Sequence, residues 1–142
     1  MNMQNEKLTS TGLLVLRVGV GLFMLVHGWA KLSGFAEAQN HFPDPIGMGS
    51  KLSLIMAIGA EVGCSALLIL GLATRLASIP LAFTMVIALF VVHGEDPWKV
   101  KELAGMYLLV YVSLMLTGPG IFSLDHLFFR RDTAPAGLES PT

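Results

Sequence analysis

Four long apolar runs constrain the fold of this chain more than any other feature of its sequence. Each run is close to the roughly 20 residues that an α-helix needs to cross about 30 Å of hydrocarbon. No run alternates with the period of two that membrane-spanning strands require. The composition agrees, since 54% of the residues are hydrophobic and only 13% are charged. The sequence therefore predicts an all-α integral membrane protein, a bundle of four transmembrane helices over residues 13–29, 52–72, 76–92 and 103–117.

The four runs leave room for one domain only. We predict a four-helix transmembrane domain over residues 11–128, preceded by a flexible head (1–10) and followed by a basic and then disordered tail (129–142). The first run resembles a signal peptide, but no small-x-small cleavage site accompanies it, so we interpret it as a retained helix. The net charge of −1 gives no indication of nucleic-acid binding.

The orientation is only weakly determined by the sequence. An even number of spans places both termini on the same side, and lysine and arginine are almost equally frequent on the two sides. Arg17 tips the balance towards cytoplasmic termini, because its side chain could reach the N-terminal side. Near the C-terminus, "FSLDHLFFRR" predicts a short Ser-capped helix lying in the membrane interface, although a simple basic stop after the last span fits equally well.

Ionisable side chains lie inside these apolar runs or at their ends, where a charge is costly and needs a partner or a function. From the rise per residue, His27 should lie about 6 Å deeper than Lys31 on the same helical face, and Glu61 about 13 Å deep in the second run. His93 and Glu102 should lie near the same membrane surface as Lys31, whereas Arg17 should lie roughly 21 Å away. The predicted catalytic residues are Glu61 and His27, and the predicted ligand-binding residues are Arg17, Lys31, His93 and Glu102.

Each of these residues also has a purely structural interpretation. Glu61 could form a buried ion pair with Arg17 or with a protonated His27, and the pair would then only fix the helix packing. A neutral His27 could donate to a backbone carbonyl, and His93 and Glu102 could be solvated loop residues. In the structural interpretation, Arg17, Glu61 and Lys31 form a charge network that fixes the register of the helices.

Two glycines flank Glu61 in the segment "GAEVG". Gly59 and Gly63 are four residues apart, a small-xxx-small pattern that predicts close approach of a neighbouring helix. That neighbour could belong to the same chain or, if the glycines are exposed, to a second copy in a homo-oligomer.

Three segments resemble the DoxX family of small four-helix membrane proteins. They are "LRVGVGLFMLVHGWAKL", "GAEVGCSALLILGLATRLAS" and "KELAGMYLLVYVSLMLTGPGIFSLD", which together with their connections cover residues 11–128. The recurrent polar positions of the family match Arg17, His27, Lys31, Glu61, Arg75 and Glu102. The resemblance implies a multi-pass protein of the bacterial inner membrane. Some members are associated with the oxidation of thiosulfate, with quinone as the electron acceptor, and others with redox-stress complexes.

The residue types limit which redox chemistry is feasible. Cys64 is the single cysteine, so a dithiol mechanism within the chain is excluded, and a redox role requires a bound carrier. We expect a quinone, with His27 or Lys31 donating to a carbonyl oxygen and Glu61 relaying protons. A b-type haem with His27 and His93 as axial ligands is an alternative. A metal held by two histidines and two carboxylates is a third carrier that fits, but the loop positions do not fix its geometry and no residue is assigned as a metal ligand. The other class is a non-enzymatic anchor for a soluble redox subunit, or a small carrier of lipid or solute, in which the charges are structural.

Overall fold

Four helices in the structure are long and apolar enough to cross a membrane. The structure is a computed structural model and describes residues 3–129. The all-α prediction is confirmed, since the described residues contain helices and turns and no strand. Each helix includes most of one predicted run. We refer to them as the first to fourth spans, which are Met3–Ser33, Ser50–Leu70, Thr74–Val92 and Trp98–Thr117.

The first span begins well before the apolar run does. Residues 3–10, predicted as a flexible head, are helical. Ser10 is 5% exposed, and its Oγ accepts a hydrogen bond from Ile121 N over 3.2 Å, so the turn after the fourth span contacts this end of the helix. A tertiary contact thus extends a helix into a polar segment. The predicted tail lies outside the described residues from residue 130 onwards.

Two spans contain a π-helical turn. In the second span it covers Gly59–Cys64 and carries Glu61, and in the third it covers Ala88–Val92. Such turns insert one extra residue into a helix, rotate the face that follows, and occur frequently at functional sites. The third span also contains Pro80, which has no N–H to donate, and Thr84 Oγ1 donates to the Pro80 carbonyl over 2.9 Å.

The backbone of the first span approaches the second span closely at two glycines of the first span. A Cβ atom on Gly28 would lie 2.9 Å from Glu61 Cβ, and one on Gly21 would lie 2.8 Å from Ile69 Cγ1. A Cβ on Gly59 or Gly63 would meet no atom within 4 Å. The prediction that this pair mediates close packing is therefore wrong within the described chain. The pattern is present, but both glycines lie on the exposed face of their helix.

The segment after the fourth span folds back onto the turn between the second and third spans. It forms the short helix Leu124–Phe129, and Ser123 Oγ accepts the His126 N–H over 3.1 Å, as predicted for a Ser-capped helix. The Asp125 carboxylate accepts the N–H groups of Ala73 (2.7 Å) and Thr74 (3.0 Å), which begin the third span. We call this contact the C-terminal clasp.

Candidate functional site

Glu61 forms an ion pair with Lys31. Lys31 Nζ donates to Glu61 Oε2 over 2.6 Å, and the Glu61 side chain is 3% exposed whereas that of Lys31 is 30% exposed. The structural interpretation named Arg17 or His27 as the ion-pair partner of Glu61 and placed Lys31 in the same charge network, and the structure pairs Glu61 with Lys31. Burying an isolated carboxylate costs desolvation free energy, and the attraction of the Lys31 ammonium offsets part of this cost for Glu61.

Gly28 explains how the two spans bring these charges together. It lies three residues before Lys31, on the same face of the first span, and its Cα packs against the Glu61 backbone and Cβ. Any side chain at this position would separate the helices. The π-helical turn that starts at Gly59 places Glu61 at this contact, so a backbone irregularity and a glycine jointly position the pair.

The ion pair lies at the wall of a cavity of about 440 Å³. All four spans line it, and the loop between the first two spans covers one end with Phe42, Pro43 and Met48. Its walls are predominantly apolar. Some lining side chains are also exposed on the outside of the bundle, Met56 to 60% and Phe83 to 54%, so the cavity opens sideways towards the lipid. The titratable side chains that line it are His27, Lys31, Glu61, His93 and Tyr107.

His27 lies at the margin of this cavity and is exposed. Its ring meets Tyr107 edge to face, with ring centroids 6.0 Å apart and an angle of 89° between the planes. Tyr107 in turn stacks on Tyr111, again at 6.0 Å. The two tyrosines therefore face the interior of the bundle, a point that the sequence left open.

His93 lines the cavity from the end of the third span, as the depth prediction implied. Its Nδ1 is 2.7 Å from Asp96 Oδ2 in the following loop. Glu102 does not join the site, because it is exposed on the outer face of the fourth span and does not line the cavity. Among residues 3–129, no three His, Cys, Asp or Glu side chains are arranged to hold a metal ion.

Arg17 belongs to a separate polar region at the other end of the first span. It is 2% exposed, and its Nη2 donates to the Phe122 carbonyl, next to the C-terminal clasp. The guanidinium lies against Gly71, where a Cβ atom would overlap Arg17 Nη1. Arg17 was predicted as a ligand-binding residue, but it lies roughly 21 Å from Lys31 by the helical rise, and it does not line the cavity.

The sequence analysis missed Asp44, which organises the loop over the cavity. Its carboxylate accepts the N–H groups of Met48 (2.9 Å) and Gly49 (2.7 Å) and the Ser53 hydroxyl (2.8 Å). The signal was the segment "PDPIGMGS", since aspartate before glycines and a helix start commonly caps a turn. These bonds, above all that from the Gly49 N–H, lower the pKa of Asp44.

We expect the loop to loosen in acid. Because the folded-state pKa of Asp44 is lowered, its contribution is fully present above the unfolded value of about 3.9 and is lost as the pH falls through the lower folded value. In detergent micelles, the Gly49 amide NMR signal should shift towards its random-coil position in that pH range. Asp44→Ala should show the loosened position already at neutral pH. A Gly49 signal that is identical in the variant and the natural protein would contradict this role.

Comparisons with known proteins place the chain among small membrane proteins. It is similar to "Putative oxidoreductase CatD" of Bacillus subtilis (strain 168), with 32% identity over 120 residues that cover 84% of this chain and 88% of the relative. It is also similar to two proteins of Escherichia coli (strain K12). "Inner membrane protein YqjF" is 27% identical, covering 89% of this chain and 98% of the relative. "Inner membrane protein YphA" is 31% identical, covering 80% and 87% respectively.

No solved structure matches the chain significantly. The DoxX family model matches residues 12–94, which include most of the first span, the whole second and third spans, and both partners of the Lys31–Glu61 ion pair. Because this match covers more than half of the chain and the relatives are similar over almost their whole length, the chain belongs to the DoxX family.

Proposed function

We propose that this protein binds a quinone in the cavity beside Lys31 and Glu61 and takes part in a membrane-bound redox reaction. The observation that carries the proposal is a partly buried ion pair at the wall of an otherwise apolar cavity that opens between the spans. A cavity of about 440 Å³ is large enough for a quinone ring, since small-molecule sites range over about 300–1,000 Å³. The name of the relative CatD agrees with a redox role.

The chain's own groups can perform the binding and proton-handling steps. The Lys31 ammonium has three N–H donors and uses one on Glu61, so another can donate to a quinone carbonyl. Glu61 bonds Lys31 through Oε2, which leaves Oε1 to accept a hydrogen bond or a proton from a quinol hydroxyl. His27 at the margin can contact the ring or its second carbonyl. The bound quinone would supply the electron chemistry, which no side chain here can provide.

The proposed location is the bacterial inner membrane, as in the names of YqjF and YphA, with both termini in the cytoplasm. On this orientation the C-terminal clasp lies on the cytoplasmic side and the cavity on the opposite side. Arg75, on the clasp side, donates to the Leu116 carbonyl and supplies positive charge there. A reporter enzyme that is active only in the cytoplasm, fused to the C-terminus, should be active if this orientation is correct. An inactive fusion would place the C-terminus on the opposite side.

Co-purification tests the ligand directly. Protein purified in mild detergent should yield a quinone in an organic extract analysed by mass spectrometry, at close to one per chain. A colourless protein without extractable quinone, accompanied by a soluble subunit, would favour the anchor interpretation. A Soret absorption band would instead favour haem, for which His27 and His93 line the same cavity.

Variants of two glutamates test which residues hold the ligand. We expect Glu61→Gln to weaken binding of a short-tailed quinone about tenfold or more, because one charge-assisted hydrogen bond to the ligand is worth about 1.5–3 kcal/mol. Glu102→Gln is the matched control, since Glu102 is exposed on the fourth span outside the cavity. Titration calorimetry in detergent measures both affinities. Equal affinities for the two variants would remove Glu61 from the binding site.

A further inference from the structure

Each of the four spans contributes one deeply buried side chain with polar atoms that have no protein partner within residues 3–129. They are Arg17 (Nε and Nη1), Ser65 (Oγ), Thr74 (Oγ1) and Tyr111 (Oη). Arg17 is 2% exposed and the other three are 0% exposed. Buried polar atoms in proteins almost always have a hydrogen-bond partner, which is either another protein group or an ordered water. Four such side chains in one small bundle therefore require an explanation.

Two of these side chains lie one helical turn nearer to the C-terminal clasp than residues that line the cavity. Ser65 follows Glu61 by four residues on the same buried face of the second span, and its carbonyl oxygen lies 3.2 Å from the Cβ position of Gly21. Tyr111 is one helical turn below Tyr107 and stacks on it, and Tyr107 lines the cavity. Each turn corresponds to a step of about 5 to 6 Å along the bundle.

The other two side chains continue the series towards the C-terminal clasp. Thr74 begins the third span, and its backbone N–H is bound by Asp125. Arg17 lies against Gly71 in the same turn, close enough to Asp125 for their charges to interact. By their positions along the spans, the four side chains occupy successive levels between the cavity and the C-terminal clasp. We call this series, comprising Tyr111, Ser65, Thr74 and Arg17, the polar file.

We propose that the polar file holds bound water and carries protons between Glu61 and the membrane face on which Asp125 lies. Its use in quinone chemistry rests on the proposed function, but the hydrated path itself does not. Under this proposal a proton leaving the cavity passes from Glu61 into the file, and one proton leaves at the Asp125 end, so no charge accumulates and no bond other than O–H bonds forms or breaks.

The residue types in the file suit this role. Hydroxyl groups of Ser65, Thr74 and Tyr111 each donate and accept, so each can receive a proton on one side and pass one on at the other. A buried water forms about three hydrogen bonds, which matches neighbours that have unused donors and acceptors. The Arg17 guanidinium only donates, and it orients water while Asp125 balances its charge. The titratable groups that face Glu61 at the upper end are Lys31 and His27 from the first span, His93 from the third, and Tyr107 from the fourth.

Water contact can be measured residue by residue. In water-edited solid-state NMR of the protein in lipid vesicles, magnetisation transferred from water should reach the Ser65 and Tyr111 signals several-fold faster than those of Leu81 and Leu114. These two leucines are matched controls, because they too are 0% exposed but have apolar side chains. Equally slow transfer to all four residues would overturn the proposal.

Proton movement is tested in vesicles of phosphatidylethanolamine and phosphatidylglycerol that enclose a pH-sensitive dye, with the membrane potential clamped by potassium and valinomycin. After a pH step, the natural protein should carry protons faster than protein-free vesicles do, and Tyr111→Phe should lower this rate several-fold. Ser113→Ala is the control in the same span, because the Ser113 hydroxyl is already bonded to the Leu109 carbonyl. Ser65→Ala provides a second test if Tyr111→Phe does not fold. An unchanged rate in the folded Tyr111→Phe or Ser65→Ala protein would overturn the path.

Neither measurement uses quinone, so its outcome is independent of the ligand. A protein that binds quinone and has a dry interior would keep the proposed function and lose the polar file as a proton path. A protein that is hydrated and conducts protons but binds no quinone would keep the polar file as a proton path and lose the proposed function.

Discussion

Gly71→Ala should be among the most destabilising single substitutions in this protein. Gly71 has φ = 69°, a conformation that costs an alanine roughly 1 kcal/mol. An alanine Cβ there would also overlap the buried Arg17 guanidinium, which would have to shift away from its position beside the Phe122 carbonyl. Adding the cost of displacing a buried charge, we expect a loss of about 3 kcal/mol or more in the free energy of unfolding.

The measurement is thermal unfolding in mild detergent, followed by tryptophan fluorescence and size-exclusion chromatography. Gly63→Ala is the matched control, because a Cβ there meets no atom within 4 Å and the φ of Gly63 is not positive. We expect the control to unfold at the temperature of the natural protein or slightly above it. If Gly71→Ala unfolds at the same temperature as Gly63→Ala, then Arg17 is not held against this turn.

The second large effect concerns the Lys31–Glu61 ion pair. Lys31→Met would leave the Glu61 carboxylate buried beside an apolar cavity without its ammonium partner. Breaking a fully buried pair costs about 3–5 kcal/mol, and the 30% exposure of Lys31 lowers our expectation to about 2–3 kcal/mol. The double variant with Lys31→Met and Glu61→Gln should regain most of this stability, because it no longer buries a charge.

The double variant also separates structure from function. We expect it to fold and to have lost quinone binding, since the donor and the carboxylate are both gone. Unfolding in detergent, combined with calorimetric titration of a short-tailed quinone, gives both quantities on one preparation. Lys99→Met is the control for removal of an exposed lysine on the same side of the membrane. If the double variant were as unstable as Lys31→Met alone, the ion pair would be contributing something other than charge compensation.

The fold was predictable from the sequence because lipid allows few alternatives. In lipid, the backbone N–H and C=O groups of a long apolar run must be hydrogen-bonded within the protein, which a helix achieves by itself. The number of spans therefore followed from the number of runs. Their ends were less predictable. The first span extends back to Met3, and its Ser10 is bonded to Ile121, a residue more than a hundred positions later, a contact that no local pattern encodes.

The depth of each site residue in the membrane was predictable, but the side of the helix on which it lies was less so. Counting the rise per residue placed His27, Lys31, Glu61 and His93 in one half of the membrane, and the structure brings all four around one cavity. Counting cannot tell which way a helix is rotated, so Glu102 was predicted as a ligand-binding residue although it is exposed and does not line the cavity. The π-helical turn at Gly59–Cys64 adds to this difficulty, since it shifts the helical face at the residue that matters most.

Arg17 was misplaced for a different reason. Glu61 was the predicted partner, but the guanidinium donates to the Phe122 carbonyl and packs against Gly71, with the charge of Asp125 nearby. The motifs that supported the family resemblance at the second-to-third turn and at the C-terminal end of the fourth span meet here. These motifs therefore specify the C-terminal clasp and not the cavity.

The C-terminal clasp also constrains the order in which this protein can be assembled at the ribosome. Arg17 enters the membrane with the first span, but the carbonyl that accepts its hydrogen bond belongs to residue 122, and the carboxylate near its charge belongs to residue 125. Throughout the synthesis of the other three spans, the guanidinium must stay near the headgroups or beside the insertion machinery, because a charge in hydrocarbon is costly. The first helix to be inserted is thus the last to be completed, and a chain released before residue 125 would carry an unneutralised arginine that quality-control proteases could recognise.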